Sequence, residues 1–460
     1  MTVTDERTLL AELDGVLPEG AVVTDADRLA SYRADSAGGL VAGEPVAVVF
    51  PRTTAEVSAV LSAAHRRRVP VVPRGAGSGL SGGANAVDGC VVLCLERMTS
   101  VRSIDVGDGC AVVEAGVLNQ QLREDAARHG LWYAPDPASR TWCTLGGNVS
   151  TNAGGLCCVK YGVTADYIKA LEVVLPGGEL IRTGHRTGKG TAGYDLTGLF
   201  VGSEGTLGVV TSIVTRLIPA PDPALTALAT FDSLDRATDG VLALRRDRHR
   251  PSLLEFLDRA TIVAVQAVAD FGFPNDCAAA LIVQSDRPGH AAEDVLRYAG
   301  LLESAGATEV AVADDEQEAD ALMAGRRALN AALEAKGGRF IEDVCIPVGR
   351  LAELIRAGEE ISTRRGVEIT LSGHGGDGNL HPCFFFTLGD AESRHRAEEA
   401  FGDMVRLALA MGGTITGEHG VGSLKRRWLP LELGEPEMDR QRAVKALFDP
   451  RGIMNPGKVY

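Results

Sequence analysis

The stretch SGHGGDGNLHP (residues 372–382) carries two side chains that could do metal or proton chemistry. His374 and His381 stand seven residues apart with three glycines between them. Imidazole binds divalent metals and exchanges a proton near neutral pH. A helix would place both rings on one face, but each glycine would cost it about 1 kcal/mol. A regular strand would send side chains at an odd separation to opposite faces. The pattern therefore predicts a shaped loop, with a turn carrying two incidental histidines as the open alternative.

A second stretch, PRGAGSGLSGGA (residues 73–84), has glycines at 75, 77 and 79 after a strand-like run. The dinucleotide-binding fingerprint has this glycine spacing but must open a helix directly. Here Leu-Ser-Gly-Gly-Ala-Asn follows, which is a poor helix start, so a nicotinamide-type site is excluded. Successive backbone N–H groups without side chains instead predict a nest for a pyrophosphate, to which Arg74 adds positive charge. A purely structural glycine turn is the alternative.

Two further glycine-rich loops follow in the first half of the chain. They are PDPASRTWCTLGGNVSTNAGG (residues 135–155) and GSEGTLGVVT (residues 202–211). Three such loops within about 150 residues are hard to explain as separate turns. Together they favour one long cofactor, with phosphates, a sugar and a ring system, that the backbone approaches closely.

Composition limits the class of function. The 460 residues carry a formal net charge of −15, which argues against a general binder of nucleic acids or anionic membranes. No segment approaches the ~18 consecutive apolar residues of a membrane span, and the first residues show no basic leader followed by an apolar run. The nine cysteines form no CxxC pair, so reduced thiols are expected rather than an iron–sulfur cluster. We expect a cytoplasmic protein, with peripheral attachment to a membrane left open.

Hydrophobic periodicity predicts the elements that must position these loops. The stretch TAEVSAVLSAAHRRR is predicted as a helix with Thr54 as its cap, and ALEVVLPGGELIRTG as a hairpin. From about Ala224, strand-like runs such as LTALATF and AALIVQS alternate with helix-like runs, and IPAPDP at 218–223 is the expected boundary. The pattern predicts an α+β first domain, a second domain of the α/β-sandwich type and a short terminal piece.

Six motifs in order make the chain similar to a known family. They are PRGAGSGLSGGA, TLGGNVSTNAGG, GSEGTLGVVT, GHGGDGNLHP, GEHGVG and the closing GIMNPGK. The chain resembles the flavoproteins of the vanillyl-alcohol oxidase and p-cresol methylhydroxylase superfamily. Within it, the resemblance is to the branch of D-lactate dehydrogenase, the flavin subunit of glycolate oxidase and D-2-hydroxyglutarate dehydrogenase.

The resemblance implies the division of the chain into domains. Residues 1–219 would form a two-subdomain FAD-binding domain of the p-cresol methylhydroxylase type. Residues 220–412 would form an α/β cap, or substrate, domain with an antiparallel sheet. Residues 413–460 would return to the FAD domain and complete the active site.

The resemblance further implies that the first domain binds FAD, with residues 75–81 around the pyrophosphate. Some members of the superfamily tether the flavin to a histidine of this loop. Ser78 stands at that position here, so the FAD is expected to be non-covalent. The residues expected to contact FAD are Arg74, Gly75, Ala76, Gly77, Ser78, Gly79, Leu80, Ser81, Pro135, Ser139, Thr144, Gly146, Gly147, Asn148, Thr151, Gly154, Gly155, Gly205, Val210 and Asn455.

A divalent metal is also implied by the resemblance. In this branch the two loop histidines and the Glu of GEHGVG are ligands, which here are His374, His381 and Glu418. Zn²⁺ fits two imidazoles and a carboxylate with open positions, and Mn²⁺ or Fe²⁺ stays an alternative. Asp377 and Asn379 would shape the loop or support the ligands.

The implied reaction oxidises a 2-hydroxy acid to a 2-oxo acid. The acid would bind the metal, which lowers the pKa of the hydroxyl. His419 would take that proton as a general base, and the C2 hydride would go to flavin N5; the alternative for His419 is a supporting or core histidine. Arg326 matches the family's substrate arginine and would bind the carboxylate, while the adjacent Arg327 is expected to be solvated.

Two departures from the hydroxyglutarate branch bear on the substrate. That branch has an Asn two residues after the second loop histidine, where Cys383 stands here, and a Lys where Ile341 stands here. Both departures argue against a long dicarboxylate. They favour a smaller or more apolar acid such as D-lactate, with D-2-hydroxyglutarate or glycolate as alternatives.

Other functions stay open at this point. A metal-dependent hydrolase would need only the two histidines and Glu418, but it leaves the glycine loops unexplained. A flavin subunit would pass electrons only within a complex. Because there is no iron–sulfur ladder, the electron acceptor is expected to be external: a quinone, a cytochrome, an electron-transfer flavoprotein or O₂. A homodimer is one of the open oligomeric states.

Overall fold

A computed structural model of the protein describes residues 3–460. The chain divides into two compact units. The first unit contains the chain up to Gly154, then Val163–Ala220 and Glu418–Tyr460. The second unit contains Gly155–Gly162 and Pro221–Gly417.

The helices vary from one turn to twenty residues. They are α1 Val3–Val16, α2 Ala26–Tyr32, α3 Thr54–Arg67, α4 Asn119–Ala127, α5 Leu145–Thr151, α6 Cys158–Tyr161, α7 Leu196–Phe200, α8 Leu234–Arg246, α9 Arg259–Gln266, α10 Ala291–Ser304, α11 Glu316–Leu322, α12 Ala324–Glu334, α13 Leu351–Arg365, α14 Ala391–Ala410, α15 Leu429–Leu433 and α16 Glu435–Phe448, with 3₁₀ turns at Thr164–Tyr167 and Val348–Arg350.

The strands are mostly short. They are β1 Val22–Val23, β2 Ala47–Val49, β3 Val71–Arg74, β4 Val91–Cys94, β5 Val101–Asp105, β6 Cys110–Glu114, β7 Leu131–Trp132, β8 Ile168–Val174, β9 Leu180–Gly184, β10 Val209–Arg216, β11 Ile218–Pro219, β12 Leu225–Phe231, β13 Leu253–Asp258, β14 Ala279–Ser285, β15 Glu309–Val312, β16 Gly338–Ile341, β17 Val344–Cys345, β18 Ile369–His374 and β19 Asn379–Phe386.

The first unit contains two larger sheets. One has the order β1-β2-β4-β3, with β2, β4 and β3 parallel, and the other is an antiparallel sheet of order β5-β6-β10-β8-β9. Strands β2, β3 and β4 are rich in Val, and they are buried on both faces, as such apolar runs predict. The C-terminal segment closes this core, because Val71 N donates to Ile453 O and Asn455 N donates to Val71 O.

The second unit is built on one antiparallel sheet. Its strand order is β15-β12-β14-β13-β18-β19-β16, and β17 pairs with β19 beyond the end of β16. Helices α9 and α12 contribute Ile262, Val265 and Leu329 to an apolar cluster with Leu257 and Cys383 of this sheet. The face of the sheet that carries Cys383 is therefore covered by these helices.

Helices and antiparallel sheets in both units confirm the predicted α+β class, and two local predictions are corrected. The cap of α3 is Thr53, whose side chain accepts from Glu56 N, and Thr54 lies inside the helix. The glycines of TLGGNVST predict a loop, but residues Leu145–Thr151 form helix α5 with Thr144 as its cap. The Thr144 side chain accepts from Gly147 N and pins the start of this helix.

Candidate active site

A β-hairpin brings His374 and His381 together. His374 ends β18 and His381 lies in β19, and only residues 375–378 form the connecting turn. The register pairs Ser372 with His381 and His374 with Asn379, so both rings project from one face of the hairpin. The prediction that both histidines lie in a loop was therefore wrong. The odd spacing excludes one strand but not two antiparallel strands joined by a turn.

The two rings face each other through their Nε2 atoms. These nitrogens are 3.3 Å apart, and the ring planes are nearly perpendicular at 84°. Two nitrogens bound to one tetrahedral Zn²⁺ at ~2.0–2.1 Å would be roughly 3.3–3.4 Å apart. The donor pair therefore fits a shared metal ion.

Glu255 is a functional candidate that no sequence motif indicated. It lies in β13 and is fully buried, and its Oε1 is 2.6 Å from His374 Nδ1. Burial alone would raise the pKa of Glu255, but His374 and Arg326 overcome this and lower it to about 2. The carboxylate is therefore ionised at neutral pH. His374 then donates its Nδ1–H to Glu255, which leaves Nε2 as the coordinating atom, as in carboxylate–histidine–metal arrangements.

Arg326 is held by the same carboxylate. Its Nε is 2.5 Å from Glu255 Oε2, and only 15% of its side chain is exposed. Within the described part of the chain, no protein acceptor is found for its two Nη groups. The adjacent Arg327 is half exposed and pairs with Asp320. Glu255 therefore fixes the Nε of Arg326 and leaves both Nη groups without an acceptor among the described residues, whereas Arg327 is a surface charge.

Glu418 and His419 begin the last segment of the first unit. Glu418 is bonded to Gly417, the last residue of the second unit, and Gly417 N donates to Asp343 at 2.5 Å. Of the three expected ligands, His374 and His381 lie in the second unit and Glu418 lies in the first. His419 follows, with its Nε2 4.0 Å from Glu418 Oε1.

The cofactor loop, residues 75–81, lies in the first unit and is built around glycine. A Cβ on Gly75 would collide with Thr144 Oγ1, and one on Gly77 would collide with the buried guanidinium of Arg74. Arg74 itself donates to Ala34 O at 2.8 Å, so it braces the loop from beneath. Arg74 was predicted to add positive charge to the loop; the structure shows that it also holds the loop in place.

The backbone amides of the cofactor loop fit an anion. Among the described residues, no protein acceptor binds the N–H groups of residues 76–80. Ser36 instead binds the carbonyls of Gly77 and Gly79, at 3.1 and 3.0 Å. Successive unused N–H groups on a glycine-rich turn match the nest that a pyrophosphate requires.

The other predicted cofactor residues are distributed over neighbouring elements. Gly146, Gly147, Asn148 and Thr151 lie in α5, and Val210 lies near the start of β10. Pro135 O accepts from Asn119 Nδ2, which also donates to Asn148 Oδ1, both at 3.1 Å.

The remaining predicted positions lie in turns. Gly205 has a φ of +69° and Asn455 one of +44°, and the Oδ1 atom of Asn455 is buried without a partner in the described structure. Ser139 O accepts from Trp142 N and Cys143 N. Gly154 ends a segment of the first unit, and Gly155 begins the second unit.

No helix among the described residues combines the length and apolarity that crossing a membrane requires.

Comparison with known proteins identifies the family. Residues 220–459 match the family described as FAD linked oxidases, C-terminal domain, and residues 45–184 match the FAD binding domain family. Over 418 residues the chain is 40% identical to the glycolate oxidase subunit GlcD of Bacillus subtilis, and the match spans 90% of this chain and 89% of that protein. The chain therefore belongs to the FAD-linked oxidases, and it is an FAD-linked oxidoreductase.

Two further similarities refine this placement. The chain is 35% identical over 432 residues to a D-lactate dehydrogenase of Archaeoglobus fulgidus, covering 93% of this chain and 95% of that protein. The structure of p-cresol methylhydroxylase matches with a TM-score of 0.81 at 17% identity, covering 100% of this chain and 97% of that one. At that identity the likeness shows the fold alone. The expected fold of the p-cresol methylhydroxylase type is therefore confirmed, and the sequence similarities confirm the resemblance to the branch of D-lactate dehydrogenase and the flavin subunit of glycolate oxidase.

Proposed function

We propose that the protein is an FAD-dependent dehydrogenase that oxidises a D-2-hydroxy acid, best represented by D-lactate, to the 2-oxo acid. The observation that carries the proposal is the buried Glu255 carboxylate, which binds both His374 and Arg326. Glu255 thereby links His374, a candidate metal ligand, to Arg326, a candidate for binding the carboxylate of the substrate. Relatives of similar length are named D-lactate dehydrogenase and glycolate oxidase subunit.

We propose further that His374, His381 and Glu418 hold a divalent metal, with Zn²⁺ preferred and Mn²⁺ or Fe²⁺ as alternatives. The pair of Nε2 atoms at 3.3 Å supports this ligand set. When bound, the ion would lower the pKa of the substrate hydroxyl, and FAD would accept a hydride at N5. Two histidines and one carboxylate leave coordination positions for the two oxygens of a 2-hydroxy acid.

The roles of the chain's own residues follow from this arrangement. Arg326 binds the substrate carboxylate through its Nη groups while Glu255 fixes its Nε. His419, next to Glu418 in the chain, removes the hydroxyl proton. Both residues act on the same substrate, one by orienting its carboxylate and the other by accepting its hydroxyl proton.

The FAD is proposed to bind non-covalently in the first unit, with its pyrophosphate on the cofactor loop. The N–H groups of residues 76–80 support this, because none of them has a protein acceptor in the described part of the chain. Ser78 offers no imidazole for a covalent link. Gly146, Gly147, Asn148, Gly205 and Asn455 would line the rest of the cofactor, together with the other positions named from the sequence.

Cys383 and Ile341 support a small or apolar substrate side chain. They are direct cross-strand partners in β19 and β16. Cys383 belongs to the apolar cluster of the second unit, and Ile341 packs against that cluster. Burial raises the pKa of the Cys383 thiol to about 12, so the thiol stays neutral. Neither residue can pair with a second carboxylate, which favours D-lactate over D-2-hydroxyglutarate.

A second candidate is a flavin subunit that works only within a complex. Its support is the similarity to proteins named glycolate oxidase subunit from Bacillus subtilis and Escherichia coli. In either case the electrons leave for an external acceptor, which is a quinone, a cytochrome, an electron-transfer flavoprotein or O₂.

Anaerobic reduction of the purified flavoprotein tests the proposal. D-Lactate should bleach the flavin absorption of the isolated chain, and the His419→Ala variant should keep FAD and metal but lose the bleaching. A flavin subunit that depends on its partner would not bleach until the partner is added. Normal bleaching by His419→Ala would show that His419 is not the base.

A further inference from the structure

Glu204 is a buried carboxylate of the first unit that binds the turn following His419. Only 8% of the residue is exposed. Its Oε1 accepts from Val421 N and its Oε2 accepts from Gly422 N, both at 2.8 Å. Two consecutive amides on one carboxylate fix both the position and the direction of the chain there.

The backbone of Glu204 is itself tied to the cofactor-binding elements. Glu204 N donates to Ser150 O in α5 at 2.8 Å, and its φ is +50°. Asn455 Nδ2 donates to Glu204 O and to Gly83 O, both at 2.8 Å. Glu204 therefore lies where α5, the end of the glycine-rich stretch and the C-terminal segment meet.

The turn at residues 420–424 also touches the cofactor loop directly. Ser423 N and Leu424 N both donate to Ser81 O, at 3.0 and 3.1 Å. A Cβ on Gly422 would collide with Ser81 O, and Gly420, with a φ of +86°, leaves only 3.0 Å between such a Cβ and Glu204 Oε1. The turn therefore sits in one position between Glu204 and the loop.

We propose that Glu204 is a positioning residue that locks the turn at 420–424 onto the cofactor loop and thereby orients His419 for the reaction. The inference rests on the proposed function for the role of His419. The contacts by which Glu204 holds the turn all lie within the first unit. The carboxylate acts through two amides of the turn and touches no reacting atom.

Burial and the neighbouring groups have opposite effects on the pKa of Glu204. Burial raises its pKa to about 7, while the amides of Val421 and Gly422 and the charge of Lys425 act in the opposite direction. An amide side chain at this position would lose one of the two accepted hydrogen bonds, because its NH₂ group would face a backbone N–H.

The test compares Glu204→Gln and Glu204→Asp with Asp449→Asn in the full-length holoprotein. Asp449 is the matched control, because it also binds two consecutive amides of the first unit, Ile453 N at 3.1 Å and Met454 N at 2.8 Å. Glu204→Gln should retain FAD but reduce its flavin with D-lactate about ten- to a hundred-fold more slowly, with little change in the half-saturating D-lactate concentration. Glu204→Asp, which keeps a carboxylate that can accept both hydrogen bonds, should recover part of the rate.

Hydrogen exchange of peptides covering residues 418–425 reports on the lock without any substrate. Exchange there should be about ten-fold faster in Glu204→Gln than in the parent protein and unchanged in Asp449→Asn. Parent-like exchange and reduction rates in Glu204→Gln would overturn the proposal, and so would an equal loss of rate in Asp449→Asn. If no hydroxy acid reduces the parent flavin, the proposed function fails, and faster or unchanged exchange still decides whether Glu204 holds the turn.

Discussion

Glu255 binds His374 Nδ1 at 2.6 Å with one carboxylate oxygen and Arg326 Nε at 2.5 Å with the other. One buried side chain of β13 thus sets the tautomer of a histidine on β18 and the direction of an arginine on α12. Removing either hydrogen bond leaves a buried group without its partner, which is costly. Metal binding and substrate binding are therefore expected to depend on the same residue.

The first prediction concerns this shared carboxylate. Glu255→Gln should weaken metal binding about ten- to a hundred-fold, because an amide no longer stabilises His374 as a coordinating imidazole. Metal content by mass spectrometry and metal titration of the stripped protein measure this. Asp258→Asn, in the same buried strand, is the control and should keep the parent affinity. Equal metal affinity in the Gln variant and the parent would contradict the assignment.

The second prediction concerns the histidine pair. His381→Ala should lose the metal while keeping the yellow FAD spectrum, because the cofactor loop lies in the other unit. The matched control is His395→Ala, since His395 is an exposed histidine of α14. Full metal content in His381→Ala would show that His381 is not a ligand, and the 3.3 Å contact in the parent protein would then be a hydrogen bond between the two rings.

Only part of the hairpin that carries His374 and His381 could be predicted from the sequence. The residue types and the need for glycine at positions 375, 376 and 378 could be predicted from the sequence. The pairing of Ser372 with His381 could not, because period-two arguments treat one strand at a time. Glu255 is 119 residues from His374 and has no local motif. Its one signal was an acidic residue inside the apolar run SLLEFLD, which a buried strand tolerates only with a partner.

The cofactor region was more predictable from sequence. The loop at 75–81 demands glycine for reasons that are local, and its motif is continuous in the chain. The helical nature of residues 145–151 was missed because two glycines lower the intrinsic helix propensity, which the Thr144 cap and tertiary contacts override. The role of Glu204 was also missed, because its partners lie 217 and 218 residues later. The three-part domain division at 219 and 412 stays a prediction beside the observed units.

The third prediction concerns stability and pH. Burial opposes ionisation of Asp403, but Arg365, Arg406 and Arg364 hold its pKa well below the usual range. Asp403→Asn should lower the free energy of unfolding by about 1–2 kcal/mol at pH 7, because these contacts are partly exposed. The depressed pKa means that this stability is present above the unfolded pKa of about 3.9 and is lost as the pH falls below it.

Urea unfolding at pH 7 and pH 3 checks the Asp403 prediction. The difference between the parent and Asp403→Asn should be smaller at pH 3 than at pH 7. Glu392→Gln is the control, because Glu392 pairs with Arg396 on the surface and its side chain is 85% exposed. A difference that grows towards pH 3 would mean that Asp403 does not stabilise the fold through its ionised form.

The fourth prediction concerns the link between FAD and the protein. Acid precipitation should release the flavin into the supernatant, because the cofactor loop offers Ser78 and no histidine. Yellow colour that stays in the pellet after washing would indicate a covalent bond. Reversible removal and restoration of FAD, followed by absorption near the flavin bands, gives the same answer without denaturation.

The most direct test of the central claim is anaerobic titration of the holoprotein with D-lactate, L-lactate, glycolate and D-2-hydroxyglutarate, before and after treatment with a metal chelator. Our account predicts that D-lactate bleaches the flavin fastest and L-lactate does not, that chelation stops the bleaching, and that added Zn²⁺, Mn²⁺ or Fe²⁺ restores it. A colourless protein, or a flavin that ignores all four acids or is reduced equally well without metal, would contradict it.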